Sequence, residues 1–149
     1  MLITQKCQYA IRAIFELAKR YGDGPVKIGD IAENQAIPPR FLEVILSQLK
    51  QGGFVTSQRG SEGGYMLIRQ PGKLSVGEIM RFIQGPIAPV ECLFGAAKDK
   101  CSLSPDCVFL PMWEKARKAM SDVYDRTSYQ DLLNAEQEKQ PQGAPGYCI

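Results

Sequence analysis

Three cysteines lie in one short stretch of the chain: Cys92, Cys101 and Cys107, with eight and five residues between them. The chain has no histidine, so these thiols form its only concentrated set of reactive side chains. Three thiolates on a loop suit a metal ion or an iron–sulfur centre. A standard tetrahedral zinc site needs four ligands, and this stretch alone does not complete one. The spacing therefore indicates metal ligation or thiol redox sensing, with a fourth ligand still to be found.

The composition bounds the kinds of protein that could carry these cysteines. With 149 residues, 44% of them hydrophobic and 23% charged, the chain can form one globular domain, or a small domain with an appended element. Residues 1–85 carry 11 Lys and Arg against 7 Asp and Glu, whereas residues 86–149 carry 7 against 9. A basic N-terminal half is what a surface that contacts phosphates needs.

The cysteine count and the hydropathy predict where the protein works. The five cysteines are an odd number, which fits a closed disulfide framework poorly. No apolar run approaches the roughly 20 residues of a membrane span, and the N-terminus lacks the layout of a signal peptide. We therefore expect a cytoplasmic protein with reduced thiols and no membrane partner.

The N-terminal half has the order of elements found in a winged helix-turn-helix domain. Apolar spacing and Gly/Pro punctuation predict helices over about 4–20 and 38–53, with a short helix between them. Two short strands at 54–58 and 65–69 flank a glycine-rich hairpin tip. The predicted fold class is mainly α with a small β-hairpin wing.

The rest of the chain is predicted to contain two further helices on either side of the cysteines. Ser75 and Glu78 form a capping box that starts one helix and closes a DNA-binding domain over 1–85. Residues 86–110 hold the cysteines and show no periodicity. Residues 111–135 are predicted to form one long dimerisation helix, because their apolar stripe is too long for so small a body to cover. We expect residues 136–149 to be a disordered tail.

The third predicted helix and the hairpin together favour DNA binding. The helix has leucines on one face and Arg40, Glu43 and Ser47 on the other, and such a polar face can read base edges in the major groove. Because any surface helix has a polar outer face, this face alone does not indicate DNA binding. The wing that follows it in the sequence makes DNA binding the favoured interpretation. At the hairpin tip, Arg59 stands among small residues, which suits insertion into a minor groove.

The hairpin also carries the motif by which the chain resembles a known family. Its sequence, Arg59-Gly60-Ser61-Glu62-Gly63-Gly64-Tyr65-Met66-Leu67, matches the pattern Arg-Gly-x-x-Gly-Gly-Tyr-x-Leu of the IscR/NsrR-type regulators, winged-helix repressors that often carry iron–sulfur clusters. The resemblance implies a homodimer on a palindromic site in double-stranded DNA, and it matches Glu43 to the family's base-discriminating glutamate. The residues predicted from the helix face, the wing and the resemblance to contact DNA are Pro39, Arg40, Glu43, Ser47, Arg59, Gly60, Ser61, Gly63, Gly64 and Tyr65.

The resemblance further implies that Cys92, Cys101 and Cys107 bind an iron–sulfur cluster, of the 2Fe–2S type with 4Fe–4S as the alternative. The family's usual fourth ligands are missing: Leu110 stands where some members have histidine, and Gln8 where others have aspartate. The fourth position could be open to water or a small thiol. The side chains that could fill it instead are Cys7, which also falls on an apolar helix stripe, and Glu91, Asp99 and Asp106.

The expected function is that of a cluster-sensing repressor that controls genes for iron–sulfur cluster assembly. The alternatives are a cluster-free thiol switch that forms disulfides among the same cysteines, a repressor of the same fold that responds to nitric oxide or iron, and zinc in place of the cluster. Catalysis is not expected, because the chain has no histidine, no Cys-x-x-Cys and no phosphate-binding loop.

Overall fold

Helix α1, Gln5–Lys19, is the element around which four other helices pack. The computed structural model of the chain describes residues 2–95, 101–104 and 106–140. The further helices are α2 (Ile28–Gln35), α3 (Pro39–Gln51), α4 (Val76–Gln84), α5 (Leu110–Arg126) and α6 (Tyr129–Lys139). Helix α1 contacts α2, α3, α4 and α6. It begins at Thr4, whose hydroxyl accepts a hydrogen bond of 3.2 Å from the N–H of Cys7.

The core is built from the apolar stripe of α1 and the inner faces of the helices around it. The fully buried apolar side chains of α1 are Cys7, Ala10, Ala13, Ile14 and Leu17. They share one cluster with the inner face of α3, which consists of Leu42, Ile45, Leu46 and Leu49. In the described part of the chain, no helix is both long and apolar enough to cross a membrane.

The hairpin predicted as a wing is present and is tied to the helical body. Strands β1 (Val55–Gln58) and β2 (Gly64–Leu67) are antiparallel. The outer edge of β2 also pairs with Val26. The N–H of Val26 donates to the carbonyl of Tyr65 over 2.8 Å, and the N–H of Tyr65 donates to the carbonyl of Val26 over 2.9 Å. The wing therefore starts from a fixed base beside the loop between α1 and α2.

The predicted fold class is confirmed for the first four helices and the wing. The capping box at the start of α4 is present as well. The N–H of Glu78 donates to the Ser75 hydroxyl over 3.2 Å, and the N–H of Ser75 donates to the Glu78 carboxylate over 3.0 Å. These elements follow local signals of capping, proline and glycine that need no tertiary contact to act.

The prediction of one long helix over 111–135 is wrong, because the chain turns between α5 and α6. Thr127 and Ser128 are extended, and the Ser128 hydroxyl caps α6 by accepting from the N–H of Asp131 over 3.0 Å. The backbone of this turn also pairs with the residues around the start of α4. The N–H of Val76 donates to the Thr127 carbonyl over 2.9 Å, and the N–H of Tyr129 donates to the Leu74 carbonyl over 3.0 Å. Apolar periodicity alone predicts a continuous helix here. The capping box of Ser128 and Asp131 and the backbone bridge instead separate α5 from α6.

The prediction of a disordered tail over 136–149 is also wrong at its start. Residues 136–139 are the last turn of α6, while residues 141–149 lie outside the described part of the chain. Helix α6 returns to α1, and Tyr129 at its first position is completely buried in the core. The predicted domain over 1–85 therefore receives part of its core from the C-terminal helix.

A buried carboxylate joins three helices on the other side of α1. Glu16 is 2% exposed, and its two oxygens accept hydrogen bonds of 2.8 Å from Asn34 and 2.9 Å from Gln35 at the end of α2. Lys19 lies 3.7 Å from Glu16 and 3.0 Å from Glu136 in α6. Because both oxygens of the buried carboxylate are hydrogen-bonded, its burial is compatible with a stable core.

We expect Tyr129→Ala to lower the free energy of unfolding by about 3–5 kcal/mol, because it leaves a cavity beside α1. Tyr129→Phe should leave stability unchanged or slightly higher, since among the described residues the buried hydroxyl has no hydrogen-bond partner. Denaturant unfolding followed by circular dichroism measures both. A Phe variant as unstable as the Ala variant would contradict this account of the core.

Candidate nucleic-acid interface and cysteine segment

The polar face predicted on the third helix is open to solvent. Helix α3 begins at Pro39, where a proline loses no hydrogen bond because the first N–H groups of a helix have no partner within it. Burial of its leucine and isoleucine face against α1 turns Arg40, Glu43 and Ser47 outward, and all three are exposed. The exposed face thus presents a cation, an acceptor and a hydroxyl, groups that can bond to phosphates and base edges.

The tip of the wing is exposed as well. Arg59, Gly60 and Ser61 all face solvent, and the turn closes with a hydrogen bond of 3.0 Å from the N–H of Gly63 to the carbonyl of Gly60. Gly60 has a φ of 106°, which a residue with a side chain rarely adopts. Arg59 is therefore exposed next to a tight turn whose backbone conformation requires glycine at position 60.

The other three predicted wing residues have a structural role that the sequence did not reveal. Gly63 is buried, and Gly64 and Tyr65 are half-buried. A Cβ atom at Gly63 would collide with the carbonyl of Gln58, and one at Gly64 would collide with the carbonyl of Val26. These glycines let three backbone segments approach one another, and any direct contact of theirs with DNA stays a prediction.

Helix α3 and the wing are joined by side chains at the end of α3. The ammonium group of Lys50 donates to the Ser57 hydroxyl over 2.6 Å. Phe54, just before β1, packs against Phe82 of α4 with ring centroids 5.1 Å apart, and the Phe82 ring fills the space that a Cβ at Gly52 would need. Helical spacing puts Lys50 on the same outer face of α3 as Ser47, but the observed partner of Lys50 is the wing. Helix spacing carries no signal for such a bond.

Two ion pairs connect the wing, α4 and α5. Arg69, just after β2, donates to Glu78 of α4 over 2.9 Å. Burial alone would raise the pKa of Glu78, but hydrogen bonds from Ser75 and Arg69 outweigh it and hold the pKa below its ordinary value. Arg81 of α4 holds Asp125 of α5 with two hydrogen bonds and lowers the pKa of that carboxyl.

The space for the second ion pair depends on a glycine. A Cβ atom at Gly77 would collide with the Asp125 carboxylate. The absence of a side chain at Gly77 therefore allows α5 to approach α4 closely. Only the structure shows that the Asp125 carboxylate occupies the space beside Gly77.

The three predicted ligand cysteines lie on the irregular segment between α4 and α5. Cys92 is half-buried in a single 3-10 turn at Glu91–Leu93, Cys101 is exposed, and Cys107 is half-buried three residues before α5. Within residues 2–95, 101–104 and 106–140, no three Cys, Asp or Glu side chains are close enough to hold one metal ion. The structure thus places the thiols on one segment without bringing them together.

The candidates for a fourth ligand differ in their access to this segment. Cys7 is completely buried in the core, and this burial raises the pKa of its thiol, so it behaves as a small apolar residue. Gln8 is exposed, with its side-chain amide donating to the carbonyl of Ile3 over 3.0 Å. Glu91 and Asp106 are exposed, whereas Asp99 lies outside the described residues.

The apolar stripe of α5 divides between two environments. Met120 and Tyr124 pack against the core of their own chain. Met112 and Val123 remain 50% and 61% exposed. All 17 residues of α5 are described, and none of them is buried. Part of the predicted dimerisation stripe is therefore intramolecular, and part is uncovered.

Comparison with known proteins decides the family. Residues 3–135 match Rrf2, which is described as an iron-dependent transcriptional regulator. The chain belongs to the Rrf2 family. The resemblance proposed from the wing motif is thereby confirmed.

Relatives within the Rrf2 family share most of their length with this chain. The transcriptional regulator CymR of Bacillus subtilis is 35% identical over 134 residues, covering 90% of this chain and 91% of CymR. A putative rrf2-like regulator of Rhodobacter capsulatus is 43% identical, covering 90% and 93%. IscR of Klebsiella pneumoniae is 28% identical, covering 92% and 82%. These Rrf2 relatives are named regulators, so the expectation of a regulatory rather than an enzymatic function is confirmed.

Solved structures of Rrf2 proteins confirm the winged-helix fold. The structure of CymR from B. subtilis, titled the global cysteine regulator, matches with a TM-score of 0.74 at 34% identity, covering 91% of this chain and 98% of that one. The structure of T. potens IscR matches with a TM-score of 0.73 at 33% identity, covering 96% and 94%.

We expect Arg59→Ala to weaken binding to operator DNA about ten-fold, because one base- or phosphate-directed guanidinium is lost. The slope of log affinity against log salt concentration should fall by about 1. Fluorescence anisotropy at several salt concentrations measures both quantities. Lys139→Ala removes one charge from an exposed position at the end of α6 and serves as the matched control. Equal effects of the two changes would show that only net charge matters.

Proposed function

We propose that this Rrf2 regulator is a homodimeric repressor that binds a palindromic operator and senses iron–sulfur status through its cysteine segment. Its target genes are those of iron–sulfur cluster assembly. The observation that supports this function best is the continuity from Cys107 to the wing. Helix α5 starts three residues after Cys107, and ion pairs join α5 to α4 and α4 to the wing.

DNA binding would use α3 in the major groove and the wing tip in the minor groove. Glu43 can accept a hydrogen bond from the amino group of cytosine, and Arg40 can reach a guanine edge or a phosphate. Arg59 enters the minor groove, where a narrow groove attracts a guanidinium. Lys50 of α3 bonds to Ser57 of the wing, and the N–H of Phe54 donates to the carbonyl of Leu49 in α3 over 3.0 Å. These bonds fix the wing to α3, so the two DNA contacts keep a constant spacing.

The homodimer would form through the uncovered side of α5. Seventeen residues of helix span about 25 Å, and none of them is buried by the chain itself. Met112 and Val123 leave apolar surface exposed on this helix. A second copy supplies the same surface in return, and the two-fold axis gives two recognition helices and a palindromic site.

The cysteine segment fits an iron–sulfur cluster by the chemistry of its donors. Cys92, Cys101 and Cys107 offer three thiolates, which are soft ligands suited to iron–sulfur centres. When bound, such a cluster, which we take to be 2Fe–2S, would supply a cross-link that oxidation or iron loss removes. Drawing the three thiolates together requires the segment to close, which would pull the start of α5 towards the end of α4.

Movement of α5 would be transmitted to the DNA-binding surface through two ion pairs. Asp125 connects α5 to Arg81, and Glu78 on the same helix as Arg81 holds Arg69 at the base of the wing. A shift of α5 therefore changes the position of the wing relative to the DNA. Equal operator affinity of the cluster-loaded and cluster-free proteins would contradict this proposal.

We expect anaerobically purified protein to be coloured, and Cys92→Ala, Cys101→Ala and Cys107→Ala each to abolish the visible absorbance. Cys7→Ala and Cys148→Ser change the other two cysteines and should leave the spectrum intact. Electron paramagnetic resonance after reduction distinguishes 2Fe–2S from 4Fe–4S. A cluster retained in any of the three loop variants would overturn the ligand assignment. Protein that contains zinc and no iron would show that the site binds zinc instead of a cluster.

A cluster-free thiol switch is the second candidate, favoured by the separate placement of the three thiols. It is also favoured by the likeness to CymR, whose structure is titled the global cysteine regulator. In this case a low-molecular-weight disulfide accepts the two electrons while two cysteines form one bond and release two protons. A colourless, iron-free protein whose operator affinity changes with thiol oxidation would support this function. A response to nitric oxide or iron by a bound cluster is a third outcome.

We expect Val123→Glu to raise the dimer dissociation constant at least ten-fold, because a carboxylate would be buried in the apolar contact between copies. Analytical ultracentrifugation measures the constant. Gln137→Glu adds the same charge at an exposed position in α6 and is the control. An unchanged constant in the Val123 variant would place the dimer contact elsewhere.

A further inference from the structure

Two large apolar side chains are exposed on the helix that otherwise presents polar groups to DNA. Phe41 and Val44 of α3 are each 61% exposed. Val44 lies one turn after Arg40 and one turn before Ser47, so all three share the outer face. An aliphatic side chain at this position is costly in water and gains free energy only when something apolar covers it.

The surroundings of Val44 form a groove between α1 and α3. Its volume is about 260 Å³, and it is lined by Gln5, Lys6, Tyr9, Phe41, Val44 and Ile45. Tyr9 is fixed by a hydrogen bond of 2.8 Å from the Gln5 amide, and the Tyr9 and Phe41 rings lie 6.4 Å apart. The groove therefore has aromatic walls at Tyr9 and Phe41, an aliphatic edge at Val44 and a cation, Lys6, at its rim.

The occupant is indicated by continuity with the DNA-binding face. A recognition helix brings the residues of its N-terminal half against base edges in the major groove. There, the apolar feature that one base pair presents is the C5 methyl group of thymine. Lys6 at the rim carries the charge that attracts the neighbouring phosphate.

We propose that Val44, with Phe41 as a side wall, contacts a thymine methyl group and so specifies thymine at one position in each half of the operator. The proposal rests on the proposed DNA-binding function and adds a base preference to it. Arg40 and Ser47 on either side set the register, and the thymine lies between the bases or phosphates that those two residues contact.

The test replaces thymine with 2′-deoxyuridine, which lacks only the methyl group. Operators are first selected from random double-stranded DNA with the full-length wild-type protein. Each thymine of one half-site is then replaced in turn, and affinity is measured by fluorescence anisotropy. At one position the wild type should lose about four-fold in affinity, the equivalent of one buried methyl-sized group.

The Val44→Ala variant should bind the thymine operator more weakly and show no further loss with deoxyuridine at that position. Ser47→Ala, one turn away on the same face, should keep the full four-fold methyl effect. A methyl effect that survives in Val44→Ala, or its absence at every position, overturns the proposal. A change of oligomeric state in Val44→Ala without loss of DNA binding also overturns it, since the surface would then belong to a second copy. Failure to select any DNA sequence would instead contradict the DNA-binding function itself.

Discussion

The tight packing of α1 against four other helices is the constraint on which the rest of the structure depends. Small side chains such as Ala10 and Ala13 let the neighbouring helices approach closely, and Ile14 fills the space between them. This packing buries one face of α3 and thereby fixes the opposite face towards solvent. It also draws α6 back onto the N-terminal domain, where Tyr129 completes the core. The exposure of Arg40, Glu43 and Ser47 on α3 is thus a consequence of how the core packs.

A second level of organisation consists of polar contacts that join the elements around this core. The bond from Lys50 to Ser57 fixes the wing to α3, and the pair of Arg81 with Asp125 fixes α5 to α4. Such partly exposed contacts contribute little to stability, so their importance is positional. Of the three cysteines between α4 and α5, Cys92 and Cys107 are half-buried and Cys101 is exposed, so none of them is part of the core.

Much of the fold could be predicted because its signals are local. The capping box of Ser75 and Glu78, the proline at the start of α3 and the glycines of the hairpin each act on a few neighbouring residues. The break between α5 and α6 could not be predicted with equal ease. Ser128 has the sequence of a capping residue, but it lies within an unbroken apolar periodicity. The backbone bridge to the segment before α4 brings residues far apart in the sequence together, and periodicity contains no record of it.

The sequence by itself determined the family, the wing with Arg59 at its tip, and the presence of three thiols on one segment, because residue types and short spacings carry that information. Only the tertiary structure decided the surroundings of each side chain. It buried Cys7, turned Gly64 into a packing residue, and left Val44 exposed in the middle of a polar face. The physical reason is that burial and contact depend on how distant elements pack together, whereas helix starts and turns depend on the residues next to them.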